Sequence, residues 1–541
     1  MNRLLISAAH KSSGKTTLSV GLCAALRARG HTVQPFKKGP DFIDPMWLSL
    51  AAGRDCHNLD FYLMGRDEIL RAFAAHSQGA DISLIEGNKG LYDGLNLDGS
   101  NSNAALATLL EAPVVLVIDA RGMTRGIAPL ILGYQAFDRH IRIAGVILNQ
   151  LGGSRHEAKL RAVIEHYTDV PVLGAVHHDD NLAIVERHLG LMPSNEAAEA
   201  GAKIKVIASL VAASVDLDRL MEVASRVPSL PVTDTALSPA PYMPTQAAAT
   251  TPPPPSSVPA GVREQPAHPF DGADVHRTSA TTPSHPPEGE GALTPPLPPQ
   301  AGEGISTRSE PSARGATLIR LGVARDAAFG FYYPGDLQAL RAAGAELVTI
   351  DTLHDRHLPE VDALLIGGGF PEVFMEKLEA NVSLRRQIRQ AIESGMPAYA
   401  ECGGLMYLSR RLSWRDRHCE MAGVIPGDIV MHDRPVGRGY VLLRETGRNP
   451  WPRRQPAHGP VEVRAHEFHY SSVENLPADT VFAYDVLRGT GVDGKHDGIV
   501  YKNLFACYAH LRDLENNHWA VRFVDFVRDR RRTVGKQQAA V

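Results

Sequence analysis

Nine residues near the start of the chain restrict the folds open to it: Ala9-His10-Lys11-Ser12-Ser13-Gly14-Lys15-Thr16-Thr17. They match the phosphate-loop template, except that alanine replaces the first glycine, and they lie between a strand-like and a helix-like segment. In that context backbone amides cradle phosphates, the lysine neutralises β/γ oxygens, and the first threonine hydroxyl is a Mg²⁺ ligand. We therefore predict an ATP site at Gly14, Lys15, Thr16 and Thr17.

Short apolar runs alternate with helix-like stretches on both sides of a proline-rich segment. A helix is predicted at residues 16–29, and strands at 3–8, 81–86, 113–119, 143–149 and 170–175, then at 318–324, 346–351, 363–366 and 397–400. This alternation predicts an α/β protein with two doubly wound domains. The proline-rich segment has almost no apolar periodicity, which predicts a disordered linker with an end-to-end distance on the order of 50 Å. The predicted units are residues 1–230, the linker 231–314 and residues 315–541.

Charge, hydropathy and cysteine usage exclude several classes of protein. The net charge of −4 gives no broad attraction for nucleic acid. No apolar run approaches the ~20 residues of a membrane helix, and no signal-peptide pattern precedes the phosphate loop. The five cysteines are widely spaced, which fits neither a disulfide framework nor a CxxC metal site. We expect a cytoplasmic enzyme with small-molecule substrates and neither a nucleic-acid nor a membrane partner.

Carboxylates gather in two segments that accompany the phosphate loop. Asp41 and Asp44 lie in the turn-rich stretch 37–45, and Glu86 ends the predicted strand 81–86, followed shortly by Asp93 among glycines. Ligands of open α/β sheets bind at the carboxyl ends of strands, and Mg²⁺ prefers oxygen ligands. We therefore predict that these acids belong to the nucleotide and metal site.

A second constellation surrounds Cys402. The run Ala400-Glu401-Cys402-Gly403-Gly404 joins a predicted strand to a probable helix and resembles a nucleophile elbow. Gly368 and Gly369 follow another strand, and with Gly403 their amides form a predicted oxyanion hole. His510 is the predicted base, with His466 and His469 as rivals, because sequence order does not show which imidazole reaches the sulfur.

Together the motifs resemble the cobyrinate and hydrogenobyrinate a,c-diamide synthase family, which joins a dethiobiotin-synthetase-like ATP domain to a class I glutamine amidotransferase domain. The resemblance covers nearly everything outside the linker. It rests on Lys38-Gly39-Pro40-Asp41 through Asp44-Pro45, Glu86-Gly87 through Asp93-Gly94, Arg187-His188-Leu189-Gly190-Leu191, Phe329-Gly330-Phe331-Tyr332-Tyr333, Ala400 through Gly404 and His466-Glu467-Phe468-His469-Tyr470.

The resemblance implies a division of labour between the two domains. Glutamine is hydrolysed at Cys402, and ATP with Mg²⁺ phosphorylates corrinoid carboxylates so that ammonia can displace phosphate. Thr16, Asp41 and Glu86 are the implied metal ligands, Asp93 an acid of the activation site, and Phe42, Ile43 and Asp44 the substrate border. The family commonly has tyrosine at the position of Phe42.

A second departure concerns the base. Many class I amidotransferases place a glutamate two residues after the histidine, but Arg512 stands there, so the sequence names only a dyad of Cys402 and His510.

Three alternative functions remain at this stage. A cobyric acid synthase amidates other side chains of the same macrocycle, and the run 187–191 argues against it. A partitioning-type ATPase often carries a lysine five residues before the loop lysine, where this chain has His10. A scaffold with an inactive amidotransferase domain conflicts with Cys402 and His510. Each of these functions is compatible with a homo-oligomer.

Overall fold

The computed structural model describes residues 1–184, 186–187, 190–195, 199–230, 318–453 and 461–539, and these belong to one unit of tertiary contacts. The predicted linker 231–314 lies outside them, as do His188 and Leu189 of the 187–191 motif. Among the described residues, no helix is both long enough and apolar enough to cross a membrane.

Seven parallel strands form the sheet of the N-terminal half, in the order β3-β2-β4-β1-β5-β6-β7. The strands are β1 (Arg3–Ala8), β2 (Val33–Lys38), β3 (His57–Leu59), β4 (Ile82–Glu86), β5 (Val114–Asp119), β6 (Ile143–Leu151) and β7 (Val172–His177). The helices are α1 (Lys15–Ala28), α2 (Ile43–Ala52), α3 (Arg66–His76), α4 (Asn103–Leu109), α5 (Ile127–Phe137), α6 (Ser154–Tyr167), α7 (Ala200–Ser214) and α8 (Leu217–Ser225). A short antiparallel pair, β8 (Glu186–Arg187) and β9 (Gly190–Leu191), lies between β7 and α7.

Helices cover both faces of this sheet and form two cores. Leu4 and Ile6 of β1 pack in the core that includes α1, α2, α7 and α8, whereas Leu5 packs in the core of α3 to α6. Since alternate residues of a strand face opposite sides, a strand buried on both sides must be apolar throughout. This is why the apolar runs predicted the parallel strands of the sheet.

The C-terminal half contains a nine-stranded mixed sheet, in the order β12-β10-β13-β15-β24-β23-β22-β19-β20. Its strands are β10 (Ile319–Ala324), β12 (Ala345–Ile350), β13 (Ala363–Ile366), β15 (Ala398–Glu401), β19 (Gly437–Glu445), β20 (Glu462–His469), β22 (Val481–Arg488), β23 (His496–Tyr501) and β24 (Leu504–Cys507). The first five strands of that order are parallel, and each later strand is antiparallel to its neighbour.

Smaller elements complete this half. A four-stranded sheet and a two-stranded ribbon contain β16 (Ser409–Trp414), β17 (Arg417–Glu420), β18 (Ile425–Met431) and β21 (Ser471–Glu474), and β11 (Phe329–Phe331) and β14 (Gly368–Gly369). The helices are α9 (Pro334–Ala342), α10 (Met375–Ala380), α11 (Val382–Glu393), α12 (Gly403–Leu408) and α13 (Trp519–Ala539). Helices α10 to α12 pack on one face of the large sheet, and α9 and α13 on the other.

The predicted α/β class with two doubly wound layers is confirmed, and the predicted strands agree with the observed ones to within about two residues at most ends. The antiparallel extension formed by β19, β20, β22 and β23 was not anticipated. Its strands are half-exposed and mix charged with apolar residues, as in the burial pattern of Gly437–Glu445.

The two halves contact each other directly through side chains near the carboxyl end of β3. The Tyr440 hydroxyl donates a hydrogen bond to Asp60 (2.6 Å), and the Tyr62 hydroxyl donates one to the Val441 carbonyl (3.1 Å). The rings of Tyr62 and Tyr440 stack with centroids 4.4 Å apart. The amidotransferase-like sheet therefore meets the loops of the nucleotide-binding half.

Candidate active site

The phosphate loop connects β1 to α1 as the sequence predicts. Gly14, at the N-cap of α1, has φ 84°, and a side chain there would collide with Asn149, whose amide donates to the Ser13 carbonyl (2.9 Å). Thr17 is half-buried in the first turn of α1. Lys15 is buried, and burial lowers its pKa, while nearby Glu86 acts in the opposite direction. The loop thus presents a lysine and a helix N-terminus at one point.

Three of the predicted polar residues converge beside this loop. The Thr16 hydroxyl donates to Glu86 Oε1 (2.7 Å) and to Asp44 Oδ2 (3.2 Å). Lys37, which the sequence reasoning did not single out, inserts its ammonium between them, 2.5 Å from Asp44 Oδ2 and 3.0 Å from Glu86 Oε1. Asp41 is more distant, with Oδ2 4.0 Å from the same ammonium.

Burial and neighbouring charges shift the pKa values of the ionisable residues in this cluster. Burial raises the pKa of Glu86. Burial and then the Asp44 charge raise the pKa of Asp41 to about 7. Burial lowers the pKa of Lys37, but the charges of Asp44 and Glu86 outweigh burial and hold that pKa above its usual range. The cluster therefore favours cations.

One structural observation indicates that these residues suit a magnesium ion. Glu86 Oε2 is fully buried and has no hydrogen-bond partner among the described residues, although the other oxygen of this carboxylate has two. A buried acceptor without a donor is costly, and a hard cation with its waters satisfies it. Thr16, Glu86 and Asp44 are the three residues that converge; Asp41 Oδ1 instead accepts the backbone N–H of Ile43 (2.9 Å) at the start of α2.

Asp93 lies on the loop after β4, near the same lysine. Its Oδ2 accepts the Gly90 N–H (2.9 Å), and its charge acts on Lys15. Asp93, Asp41, Asp44, Phe42 and Ile43 all border one cavity of about 700 Å³.

Cys402 occupies a sharp turn between β15 and α12, as predicted. Its backbone has φ 47° and ψ −102°, a conformation that a non-glycine residue rarely adopts outside functional sites. A side chain at Gly404 would clash with the Ile366 carbonyl, so glycine is required where the turn packs on β13. The sulfur lies 3.9 Å from the Phe468 carbonyl oxygen and borders the same cavity as Asp93.

His510 is the imidazole that reaches Cys402. Burial would lower its pKa, but the neighbouring Cys402 and Glu401 outweigh burial and raise it to about 10. Its Nδ1 lies 3.4 Å from Glu401 Oε2, which is within ion-pair distance. The two groups do not meet the geometry of a hydrogen bond. Glu401 is fixed by the Tyr399 hydroxyl and by the Leu511 N–H (2.9 Å). A carboxylate therefore stands behind the imidazole, where the sequence had named no third residue.

The two rival histidines are held differently. His466 stacks on His510 with centroids 4.9 Å apart, and burial, with the charges of His510 and Arg512, lowers its pKa far below the usual range. His469 stacks on Tyr508 and interacts with the Ser471 carbonyl (2.8 Å).

The three predicted oxyanion glycines are close together. An added Cβ at Gly403 would lie 3.0 Å from the Gly369 amide nitrogen, and one at Gly368 would lie 2.7 Å from His510 Cε1. The backbone at these glycines therefore approaches the imidazole and the cysteine turn closely. An oxyanion hole requires backbone amides this close to the nucleophile.

Phe42 connects the two sets of residues. Its ring packs against Phe331 (5.4 Å between centroids), Tyr333 (4.4 Å) and His510 (4.9 Å), so a residue of the nucleotide-binding half touches the imidazole beside Cys402. Phe42 is 9% exposed and still borders the cavity. This contact could not be predicted from the sequence, because it joins segments hundreds of residues apart.

Two family models match the chain. Residues 5–191 match the CobQ/CobB/MinD/ParA nucleotide binding domain, and residues 320–518 match the CobB/CobQ-like glutamine amidotransferase domain.

Curated relatives match nearly the whole chain. The cobyrinate a,c-diamide synthase of Magnetococcus marinus is 44% identical over 98% of this chain and 97% of the relative. The proteins of the same name from Methanosarcina acetivorans and Archaeoglobus fulgidus are 37% and 35% identical, over 94% and 96% of this chain and 92% and 96% of theirs.

Proposed function

The chain belongs to the cobyrinate a,c-diamide synthase family of glutamine-hydrolysing ligases, and on that premise we propose how its own residues amidate the a and c carboxylates of cobyrinate or hydrogenobyrinate. The family acts in cobalamin biosynthesis with an ATP-binding and an amidotransferase domain. One observation carries the proposal: a single cavity is bordered by Cys402 and His510 on one side and by Asp44 and Asp93 on the other.

Ammonia is produced in the amidotransferase half. Cys402 Sγ attacks the carboxamide carbon of glutamine, while His510 takes the thiol proton and returns it to the leaving ammonia. The amides of Gly369 and Gly403 stabilise the oxyanion, with Gly368 beside them. Water then hydrolyses the thioester to glutamate. Glu401 orients His510 and stabilises its charged form.

Carboxylate activation takes place in the nucleotide-binding half. Lys15 and the loop amides, with Thr17, bind the phosphates of ATP. The γ-phosphoryl group passes to a corrinoid carboxylate, giving ADP and an acyl phosphate, and ammonia then displaces phosphate to leave the amide. This order has a chemical reason, since a free carboxylate is a poor electrophile.

We propose Thr16 and Glu86 as the Mg²⁺ ligands, with Asp44 and Asp41 beside them. When bound, the ion neutralises charge on the phosphates. Asp93 lies within electrostatic reach of Lys15 and belongs to the acyl-phosphate region, and Phe42, Ile43 and Asp44 border the corrinoid.

A shared cavity suits this chemistry because ammonia released into neutral water becomes mostly ammonium, which is not a nucleophile. The working units are residues 1–230 and 315–541, with 231–314 as the linker between them. The substrates are a corrinoid polycarboxylate, glutamine and ATP, and the reaction is cytoplasmic.

Incubation of the purified full chain with ATP, Mg²⁺, glutamine and either corrinoid acid tests the proposal. Mass spectrometry should detect two successive acid-to-amide changes, and omission of ATP should abolish both. If neither corrinoid acid yields an amidated product, the proposed function is wrong. Replacing glutamine by ammonium chloride tests the same carboxylate activation without the glutaminase step.

A further inference from the structure

Two arginines of the amidotransferase half lie side by side at the edge of the shared cavity. Arg464 of β20 and Arg488 at the end of β22 both pair in register with Leu442 on the strand between them. Their guanidinium carbons lie 5.4 Å and 5.8 Å from the centroid of the Tyr62 ring, which belongs to the nucleotide-binding half. Both guanidinium groups therefore lie beside the same residue at the boundary between the halves.

Among the residues that the structure describes, no acid forms an ion pair with either arginine. Within the described ranges no carboxylate lies within 4.0 Å of either guanidinium, and Arg464 spends one N–H on the Tyr62 carbonyl (3.3 Å). The neighbouring Arg444 instead faces Glu462 at 3.8 Å. Both Arg464 and Arg488 are exposed. Stacking on an aromatic ring fixes the plane of a guanidinium and leaves its edge N–H groups free for carboxylate oxygens.

The arginines border a second cavity, of about 430 Å³, that continues the first. Tyr62, Phe61, Leu95 and Arg488 line both cavities. The loop at Leu95 adds two exposed aliphatic side chains among polar residues, because Leu95 is 53% exposed and Leu97 is fully exposed. The region therefore combines free positive charges with aromatic and aliphatic surface, which marks a ligand site for a molecule that is apolar and anionic at once.

We propose that Arg464 and Arg488 bind side-chain carboxylates of the corrinoid that are not being amidated, while Tyr62 and Leu95 pack against its ring system. This inference rests on the proposed function, because the substrate class comes from there. A corrinoid acid is a broad apolar macrocycle with carboxylates on its periphery, and Arg488 lies on the same cavity as Asp44 and Asp93. Anchoring some carboxylates at the arginines presents another to the activation site.

The test uses Arg464→Gln, Arg488→Gln and the double variant, with ammonium chloride as the nitrogen source so that glutamine binding plays no part. Each substitution should raise the KM for the corrinoid acid about tenfold and the double variant roughly a hundredfold, because each removes a charge-assisted pair. The kcat at saturating corrinoid and the KM for ATP should stay at wild-type values. Arg464→Lys and Arg488→Lys should restore part of the affinity.

Arg448→Gln is the matched control, since Arg448 is exposed in the same half and borders neither cavity. A binding experiment separates charge recognition from shape: by equilibrium dialysis the wild-type protein should prefer the corrinoid acid to its fully methyl-esterified form, and the double variant should lose that preference.

The outcomes distinguish the two proposals. A wild-type protein that amidates neither corrinoid acid overturns the proposed function. A wild-type protein that amidates one, together with a double variant whose corrinoid KM and ester preference are unchanged, overturns the arginine site alone. The same variants are also assayed with glutamine in place of ammonium chloride, and a rise in glutamine KM without a rise in corrinoid KM would assign the arginines to glutamine instead and would also overturn it.

Discussion

Replacement of Glu401 by glutamine removes a negative charge that lies behind the imidazole of His510 and changes little else. Glutamine has nearly the same size, and its amide oxygen can still accept the Leu511 N–H. The pair is well shielded from solvent, with side-chain exposures of 3% for His510 and 11% for Glu401. The substitution thus isolates the electrostatic contribution of Glu401.

The size of the effect follows from the 3.4 Å separation of His510 Nδ1 and Glu401 Oε2. At an effective dielectric constant of about 20, Coulomb's law gives about 5 kcal/mol between an imidazolium and a carboxylate at that distance. Hydrogen bonds from Tyr399 and Leu511 to Glu401 already stabilise its charge and offset part of this energy. We expect a loss of about 3–4 kcal/mol, which corresponds to roughly 10²–10³-fold in kcat.

The assay is glutamine hydrolysis beside amidation with ammonium chloride, measured on Glu401→Gln. Glutaminase activity should fall by the stated factor, whereas ammonia-dependent amidation should stay at the wild-type rate. The pH profile gives a second readout. Glu401 is one of the groups that raise the pKa of His510 to about 10, and a raised histidine pKa keeps the imidazolium present up to that pH. Without Glu401, the alkaline limb of glutaminase activity should move to lower pH.

Glu376→Gln is the control, because Glu376 is an exposed glutamate of the same half, paired with Arg417 (2.6 Å) and remote from the cavity lining. Thermal unfolding of both variants checks that the fold is retained. Glutaminase activity of Glu401→Gln within about threefold of wild type, with an unmoved alkaline limb, would refute an orienting role for Glu401.

Further variants test the remaining assignments. Cys402→Ala should lose glutamine-dependent amidation by at least about 10³-fold and keep amidation with ammonia, and equal loss with both nitrogen sources would contradict the division of labour. Lys15→Ala should remove both routes, as followed by ADP release, because activation of the carboxylate precedes either; retained activity with ammonia would contradict it. Glu86→Gln should raise the Mg²⁺ concentration needed for half-maximal rate about tenfold or more with either nitrogen source, which an unchanged Mg²⁺ titration would refute. Phe42→Ala removes a buried ring, which should lower the free energy of unfolding by about 3–5 kcal/mol. Glutamine-dependent activity should fall more than ammonia-dependent activity. An equal fall in both would show that the contact with His510 has no role, and a raised corrinoid KM would show that Phe42 contacts the substrate.

The sequence predicted the parallel strands well because their physical cause is local. A strand covered by helices on both faces must be apolar at every position, as Leu4, Leu5 and Ile6 are, and such a run stands out from its surroundings. The antiparallel strands β19, β20 and β22 mix charged with apolar residues, so they lack the continuous apolar run of a strand that is buried on both faces. Nothing in the run Gly437–Glu445 alone indicates that it pairs with both Glu462–His469 and Val481–Arg488.

Within the site, the turns could be predicted because their glycines form a local pattern, whereas the contacts between side chains could not. The glycines beside Lys15 and Cys402 report a turn that only glycine allows, so the phosphate loop and the elbow were visible. The sequence shows a glutamate at position 401 but does not show that it lies beside His510. Their proximity depends on the parallel pairing of β15 with β24, which sets Glu401 beside Cys507, three residues before the histidine.

Lys37 was missed for a related reason. A lysine at the end of a strand reads as a solvated charge, yet the fold buries it among Asp44 and Glu86. Its charge compensates the acids of the cluster, and that role becomes apparent only once three separate segments are brought together.

The turn between β2 and α2 has a place in both reactions. Asp44 accepts hydrogen bonds from Thr16 and Lys37 beside the phosphate loop, while Phe42, two residues earlier, packs on His510 beside the cysteine turn. Phe42 is the N-cap of α2, and Asp41 Oδ1 accepts the Ile43 N–H in the first turn of the helix, which also contains Asp44. We therefore expect occupancy of the ATP and metal site to affect the imidazole beside Cys402 through the segment 41–44. A glutaminase rate that rises when ATP and Mg²⁺ are added, and that no longer responds in Phe42→Ala, is the expected signature of this connection; an equal response in both proteins would refute it.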